Sequence, residues 1–189
     1  MKNCKTLKVI NLWGAPSAGK STTAAGLFYL MKVNGYSVEY IPEYAKSLIF
    51  SDRSQMFQEQ GYIMSKQLHP IYRLVDRVDY VIVDSPLPLA IYYAEDEYPD
   101  SFNQYCMDLF NLFDNVNFLL HRTDHSFEVD GRRHSEEQSL IIANELPSFM
   151  NNLNIPFTEL EANPETPGEL FHRLFNKHSK LITLGGHND

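Results

Sequence analysis

Cysteine is scarce in this chain: Cys4 and Cys106 are the only two among 189 residues. A disulfide framework or a structural zinc site needs more cysteines at tighter spacing. Both therefore read as free thiols of an intracellular, cytosolic protein. Long apolar runs are missing as well, and none approaches the roughly 18 residues that span a bilayer. The opening Met1-Lys2-Asn3-Cys4-Lys5 leads directly towards a strand-like stretch, without the cleavage pattern of a secretory signal. Positive charge is in short supply: 16 Lys and Arg stand against 24 Asp and Glu, a net charge of −8. That balance argues against a protein that coats nucleic acid, because such binding neutralises phosphates, although a local basic patch is compatible with it. Internal repeats and low-complexity segments are absent, and the histidines lack metal-ligand spacing.

What is present is an ordinary globular balance, 43% hydrophobic and 21% charged. The length suits one domain over residues 1–189, with a loose tail at about 181–189. Apolar, β-rich runs predict strands at Leu7–Trp13, Ser37–Ile41, Tyr80–Val83, Val116–Leu120 and Phe157–Leu160. Helical patterns cover Lys20–Val33, Tyr44–Phe50, Ser54–Val78 with an interruption at Pro70, Ser101–Phe113, Ser135–Met150 and Pro167–His178. Strands alternating with helices imply an α/β fold with a parallel sheet covered on both faces.

Between the first strand and the first helix lies Gly14-Ala15-Pro16-Ser17-Ala18-Gly19-Lys20-Ser21. This matches G-x-x-x-x-G-K-[ST] in full. The glycines let the backbone wrap closely, so that its N–H groups face phosphates, and the helix that opens here adds its positive end. Lys20 is placed to reach the β- and γ-phosphates of a nucleotide and the Ser21 hydroxyl to ligate Mg²⁺. By analogy with other such loops, Thr22 supports the α-phosphate. A chance glycine turn is the bland alternative. The strand before the motif and the helix after it are the context that sets that alternative aside.

Two strand-end acids follow. Tyr80-Val81-Ile82-Val83-Asp84 is an apolar strand closing in a carboxylate, which either holds Mg²⁺ or caps the chain ahead of Ser85-Pro86. Glu43 closes the second strand, at the edge where open α/β sheets bind ligands. It can accept the proton of an attacking hydroxyl, bind the acceptor, or simply favour a helix N-terminus. Arg122, Arg132 and Arg133 bracket a polar segment with a turn at Asp130-Gly131, which reads as a lid over about 122–134. Arginines closing over a transferring phosphoryl group lower its barrier, and a lid excludes water; solvated surface charge is the alternative. Among the aromatics, Tyr44, Phe57, Tyr62 and Tyr92 are candidates to stack an acceptor base. Asn176-Lys177-His178-Ser179 begins like a guanine-specificity motif but lacks its closing Asp.

With these motifs in place, the chain resembles the P-loop nucleoside and nucleotide kinases. It is most similar to the AAA-type group that includes the nicotinamide-riboside kinase domains of bacterial NAD regulators. The resemblance rests on Gly14–Thr22, on Glu43-Tyr44-Ala45-Lys46 and on Val129-Asp130-Gly131-Arg132. The group often has Arg where this chain has Lys46. Compact bacteriophage kinases that phosphorylate 5-hydroxymethyluracil in DNA look closer still, through overall size, Glu-Tyr-Ala-Lys, Val-Asp-Ser-Pro with a second Pro, and the Gly-Arg lid.

The resemblance implies a five-stranded parallel sheet in the order 2-3-1-4-5. It further implies an ATP- and Mg²⁺-dependent kinase, with Glu43, Tyr44, Lys46, Ser85 and Asp130 on the acceptor side. The expected reaction moves the γ-phosphoryl group to a hydroxyl acceptor. Lys20, Arg122, Arg132 and Arg133 neutralise charge, Ser21 and Asp84 position Mg²⁺, and Glu43 or Asp84 orients the hydroxyl. 5-Hydroxymethyluracil in phage DNA is the first expected acceptor, and a small nucleoside or riboside the second. A nucleotide-hydrolysing switch is the alternative of another class.

Overall fold

The computed structural model describes residues 4–94, 98–123 and 135–175. Five strands carry the fold: β1 (Lys8–Trp13), β2 (Val38–Ile41), β3 (Tyr80–Val83), β4 (Asp114–Arg122) and β5 (Thr158–Ala162). All pair in parallel, in the order β2-β3-β1-β4-β5. Parallel neighbours require crossovers, and the helices supply them. They are α1 (Lys20–Val33), α2 (Tyr44–Phe50), α3 (Gln60–Leu74), α4 (Leu89–Tyr92), α5 (Asp100–Phe110), α6 (Glu136–Asn152) and α7 (Thr166–Phe175). Among the described residues no helix is long and apolar enough to cross a membrane.

Alternation along β1 shows how the sheet is sandwiched. Ile10 and Leu12 face one layer, where Ala24, Leu27 and Met31 of α1 and Leu170 and Phe171 of α7 close the core. Trp13, in register with Leu119 of β4, packs on the other side with Met64 of α3, Cys106 of α5 and Leu146 of α6. This second layer contains a buried polar ladder: Asn11 Nδ2 donates to Asn115 Oδ1 at 2.9 Å, and Trp13 Nε1 donates to Asn117 Oδ1 at 3.1 Å. Asn117 in turn donates to the carbonyl of Pro156 at 3.0 Å. Satisfied in this way, the groups tie β1 to β4 at the base of the loop that follows β1.

The expected elements hold with three informative differences. The segment from Ser54 is not one helix: a 3₁₀ turn spans Ser54–Gln58 before α3 begins at Gln60. α3 then continues through Pro70, because Gln67 and Ile71 on either side are buried and tertiary packing outweighs the lost backbone bond. Arg122, expected in a lid, is instead the last residue of β4. The remainder of the expected lid at 124–134, with Asp130, Arg132 and Arg133, lies outside the described residues, as does the tail at 181–189.

Candidate active site

The order β2-β3-β1-β4-β5 puts the ends of β1 and β3 side by side, with chain connections leaving the sheet in opposite directions. Ligands of open α/β sheets bind in such a crevice. Between β1 and α1, residues 14–19 form a compact loop. Gly14 has φ of +148°, and a Cβ there would lie 2.7 Å from the carbonyl oxygen of Leu120. Glycine is what lets this loop lie against β4. At the other end, Gly19 adopts a left-handed conformation with φ of 78° and hands the chain to α1.

Several polar groups in and beside the loop are paired within the protein. Lys20 Nζ donates to the carbonyls of Gly14 and Ala15 at 2.8 and 2.9 Å, so the ammonium already sits at the loop's mouth. Ser21 Oγ donates to Asp84 Oδ2 at 2.7 Å, bridging α1 to the end of β3. Behind the loop, Ser139 of α6 donates to the carbonyl of Pro16 at 2.7 Å.

Asp84 is 1% exposed and accepts a second hydrogen bond on Oδ2, from the Tyr40 hydroxyl at 2.7 Å. Burial first, and then the charge and hydrogen bond of Asp84, push the Tyr40 phenol well above the ordinary tyrosine range. It therefore remains a donor. The other carboxylate oxygen, Oδ1, is buried without a hydrogen-bond partner among the described residues. A buried anionic oxygen in that condition calls for a cation or a water. One carboxylate and one hydroxyl suit Mg²⁺, which is held by few protein groups together with phosphate oxygens rather than by an all-protein cage. Ser21 and Asp84 therefore fit that ion.

From this point a cleft of about 870 Å³, counting the solvent at its mouth, runs between α2, α3 and the chain after β3. Gly14, Pro16, Lys20, Glu43, Lys46, Asp84 and Ser85 border its polar end. Ile49, Phe57, Ile63, Met64, Leu89 and Tyr93 make the far end apolar. Gln60 and Gln67 of α3, only 3% and 4% exposed, add amides to the wall. Gln67 Oε1 accepts from the Tyr44 backbone N–H at 3.0 Å, which pins the start of α2 beside Glu43.

A family model described as an AAA domain matches residues 9–166, which include every strand and the cleft. The chain belongs to the AAA domain family. No curated protein matches this AAA domain by sequence. Solved structures share its P-loop kinase fold. Thymidylate kinase from Ehrlichia chaffeensis is 15% identical with a TM-score of 0.61, over 89% of this chain and 98% of that one. NadR protein in complex with NR is 16% identical with a TM-score of 0.65, over 90% of this chain and 51% of that one, so this chain spans about half of NadR. Deoxyadenosine kinase from M. mycoides with bound dATP is 20% identical with a TM-score of 0.52, over 89% and 100% respectively. What this AAA domain shares with these kinases is the fold.

Several expected site residues of this AAA domain do meet at one place. Gly14, Pro16, Lys20, Glu43, Lys46, Asp84 and Ser85 share the cleft, and Ser21 touches Asp84. Other residues lie apart. Arg122 is absent from the described lining and pairs with Glu136 at the start of α6, at 2.7 Å. The Tyr44 ring turns to the surface, where its hydroxyl meets that of Tyr62 at 3.0 Å. Of the expected stacking aromatics, Phe57 lines the cleft, whereas Tyr92 hydrogen-bonds Glu145 and its neighbour Tyr93 takes the lining position. Sequence reading missed Tyr40, Gln60, Gln67 and Ser139. Only Tyr40 carried a signal, being near the carboxyl end of a strand in an open sheet.

Proposed function

We propose that the protein is an ATP-dependent phosphotransferase that moves the γ-phosphoryl group onto a hydroxyl of a nucleoside-sized acceptor held in the cleft. The observation that carries this reading is the junction of the phosphate loop with a largely apolar cleft at the Ser21–Asp84 contact. A hydrolase or switch has no need of a second compartment opening beside Lys20. The fold neighbours named for thymidylate and deoxyadenosine add support for an acceptor of the nucleoside class.

Loop amides and Lys20 hold the triphosphate, and Lys20 exchanges its carbonyl partners for phosphate oxygens. Ser21 and Asp84 are the residues that would hold Mg²⁺, whose charge offsets that of the phosphates. The apolar wall grips the base and excludes water, which would otherwise compete as acceptor. Asp84 already accepts from Ser21 and Tyr40. Asp84 is assigned to the cation, and Glu43, which borders the same cleft, to the hydroxyl proton. Glu43 takes that proton as the acceptor oxygen bonds to the γ-phosphorus and the bond to the β–γ bridging oxygen breaks, releasing ADP. Arg132, Arg133 and Asp130 form the lid side of this proposal, with Arg122 acting from the end of β4.

A flipped 5-hydroxymethyluracil in DNA is the second reading of the same cleft. The surface pair Tyr44 and Tyr62, with Lys66 Nζ 5.2 Å from the Tyr62 ring centroid, favours it as a platform for a flanking base. The deciding experiment follows label from γ-³²P-ATP into hydroxymethyluracil DNA, ordinary DNA and a nucleoside panel. Label on a nucleoside supports the first reading, and label confined to hydroxymethyluracil DNA replaces it with the second. Free phosphate alone, with every acceptor tried, overturns the transferase assignment in favour of a hydrolase. With an acceptor found, Glu43→Gln is expected to lower turnover by about 10²- to 10⁴-fold while ATP binding persists.

A further inference from the structure

β2 is an edge strand, and its tyrosine at position 40 is paired in register with Ile82 of β3, two residues before Asp84. From there the Tyr40 hydroxyl reaches Asp84 Oδ2 at 2.7 Å, the same oxygen that accepts from Ser21 Oγ at 2.7 Å. Two donors therefore converge on one oxygen, while Oδ1 stays buried with no hydrogen-bond partner among the described residues. A carboxylate has two chemically equal oxygens, so this asymmetry is imposed from outside. Ser21 alone cannot fix it, because a serine hydroxyl swings freely about its bond and can follow the carboxylate as it rotates. A phenol fixed to a ring cannot follow in that way.

We infer that Tyr40 is a positioning residue: by holding Asp84 Oδ2 it keeps Oδ1 and the Ser21 hydroxyl turned to one point, where a divalent cation accompanying the nucleotide would bind. This rests on the function proposed above. The Ser21 hydroxyl can keep donating to Asp84 while its lone pairs face outward, and Tyr40 needs to give up nothing. The site is thereby formed before the ion arrives, so ordering the carboxylate does not weaken binding. A tyrosine that merely satisfied its own half-buried hydroxyl would affect stability alone.

The test is calorimetric binding of ATP to the whole protein over a series of Mg²⁺ concentrations. Tyr40→Phe keeps the ring and removes the donor. The expected result is a half-maximal Mg²⁺ requirement raised about five- to tenfold, with ATP affinity restored at saturating Mg²⁺. Unliganded thermal midpoints report whether the variant folds. Tyr40→Gln, which restores a donor, is expected to lie near the wild type and serves alone if the Phe variant does not fold. An unchanged Mg²⁺ requirement in Tyr40→Phe, or a tenfold rise in Tyr40→Gln, overturns the inference. If the wild type binds ATP without any response to Mg²⁺, or not at all, the proposed function falls and this inference with it. Mg²⁺-dependent wild-type binding with an indifferent Tyr40→Phe variant sinks this inference alone.

Discussion

At the scale of single residues, the phosphate loop is braced as well as shaped. Ser139 lies 123 positions away in sequence, is 3% exposed, and donates its hydroxyl to the carbonyl of Pro16. Proline has no N–H to offer, so the middle of the loop is held through this carbonyl instead. Ser139→Ala would leave the partly buried Pro16 carbonyl without that donor, a loss of about 1 kcal/mol. Urea unfolding is expected to show that drop. Calorimetry is expected to show weaker ATP binding, because a loop free to move must be ordered again when phosphates arrive. An alanine variant with unchanged ATP affinity would mean that Gly14 and Gly19 suffice to set the loop. Cys106 illustrates a residue whose environment has the opposite consequence. Burial pushes its thiol up to about 12, so it stays protonated and acts as a small core side chain with a weak hydrogen bond to the Leu87 carbonyl.

At the scale of elements, α6 has the most explicit start in the chain. Ser135 accepts from the Gln138 backbone N–H at 3.2 Å, and the Gln138 side chain accepts from the Ser135 backbone N–H at 2.8 Å. Two otherwise orphaned donors are satisfied in this way, and Glu136 and Glu137 complement the positive end of the helix. Ser135→Ala should cost about 1 kcal/mol, read as a shift in urea midpoint at constant slope. An altered slope would point to a wider rearrangement. Two helix starts were legible in sequence: Ser135 and the Gln three residues on form a local code, and the Lys20 start follows from the phosphate motif; the start of α3 at Gln60 was not. Helix continuation through Pro70 was not legible, whereas the helix expected over Ser135–Met150 already ran through Pro147. Pro70 in α3 is flanked by buried Gln67 and Ile71, and Pro147 in α6 adjoins fully buried Leu146. In both helices packing retains the turn that proline weakens, and at Pro70 a local reading had no access to that balance.

At the scale of the whole molecule, the same division separates what the sequence disclosed about the site from what it did not. The phosphate loop is contiguous, and Asp84 ends an apolar strand, so both are visible as patterns. Tyr40 and Ser139 act across 44 and 123 positions, and only the strand order brings them to the loop. That order also makes the loop a junction: Gly14 lies against β4, Ser21 bridges α1 to the end of β3, and Pro16 is held by α6. A nucleotide seated there engages elements from both halves of the sheet and is bound by the folded state alone. Linkage then raises stability by about 2.7 kcal/mol when free ligand is 100 times its dissociation constant. For a chain of this size that corresponds to a rise of roughly 5–10 °C in thermal midpoint. Differential scanning fluorimetry with Mg·ATP is expected to show such a shift in the wild type. In Lys20→Ala the shift should be abolished while the unliganded midpoint changes little, since the carbonyls of Gly14 and Ala15 that Lys20 bonds belong to the loop itself. A full shift in Lys20→Ala would place the nucleotide somewhere other than this loop, and the assignment of the cleft as acceptor site would lose its reference point.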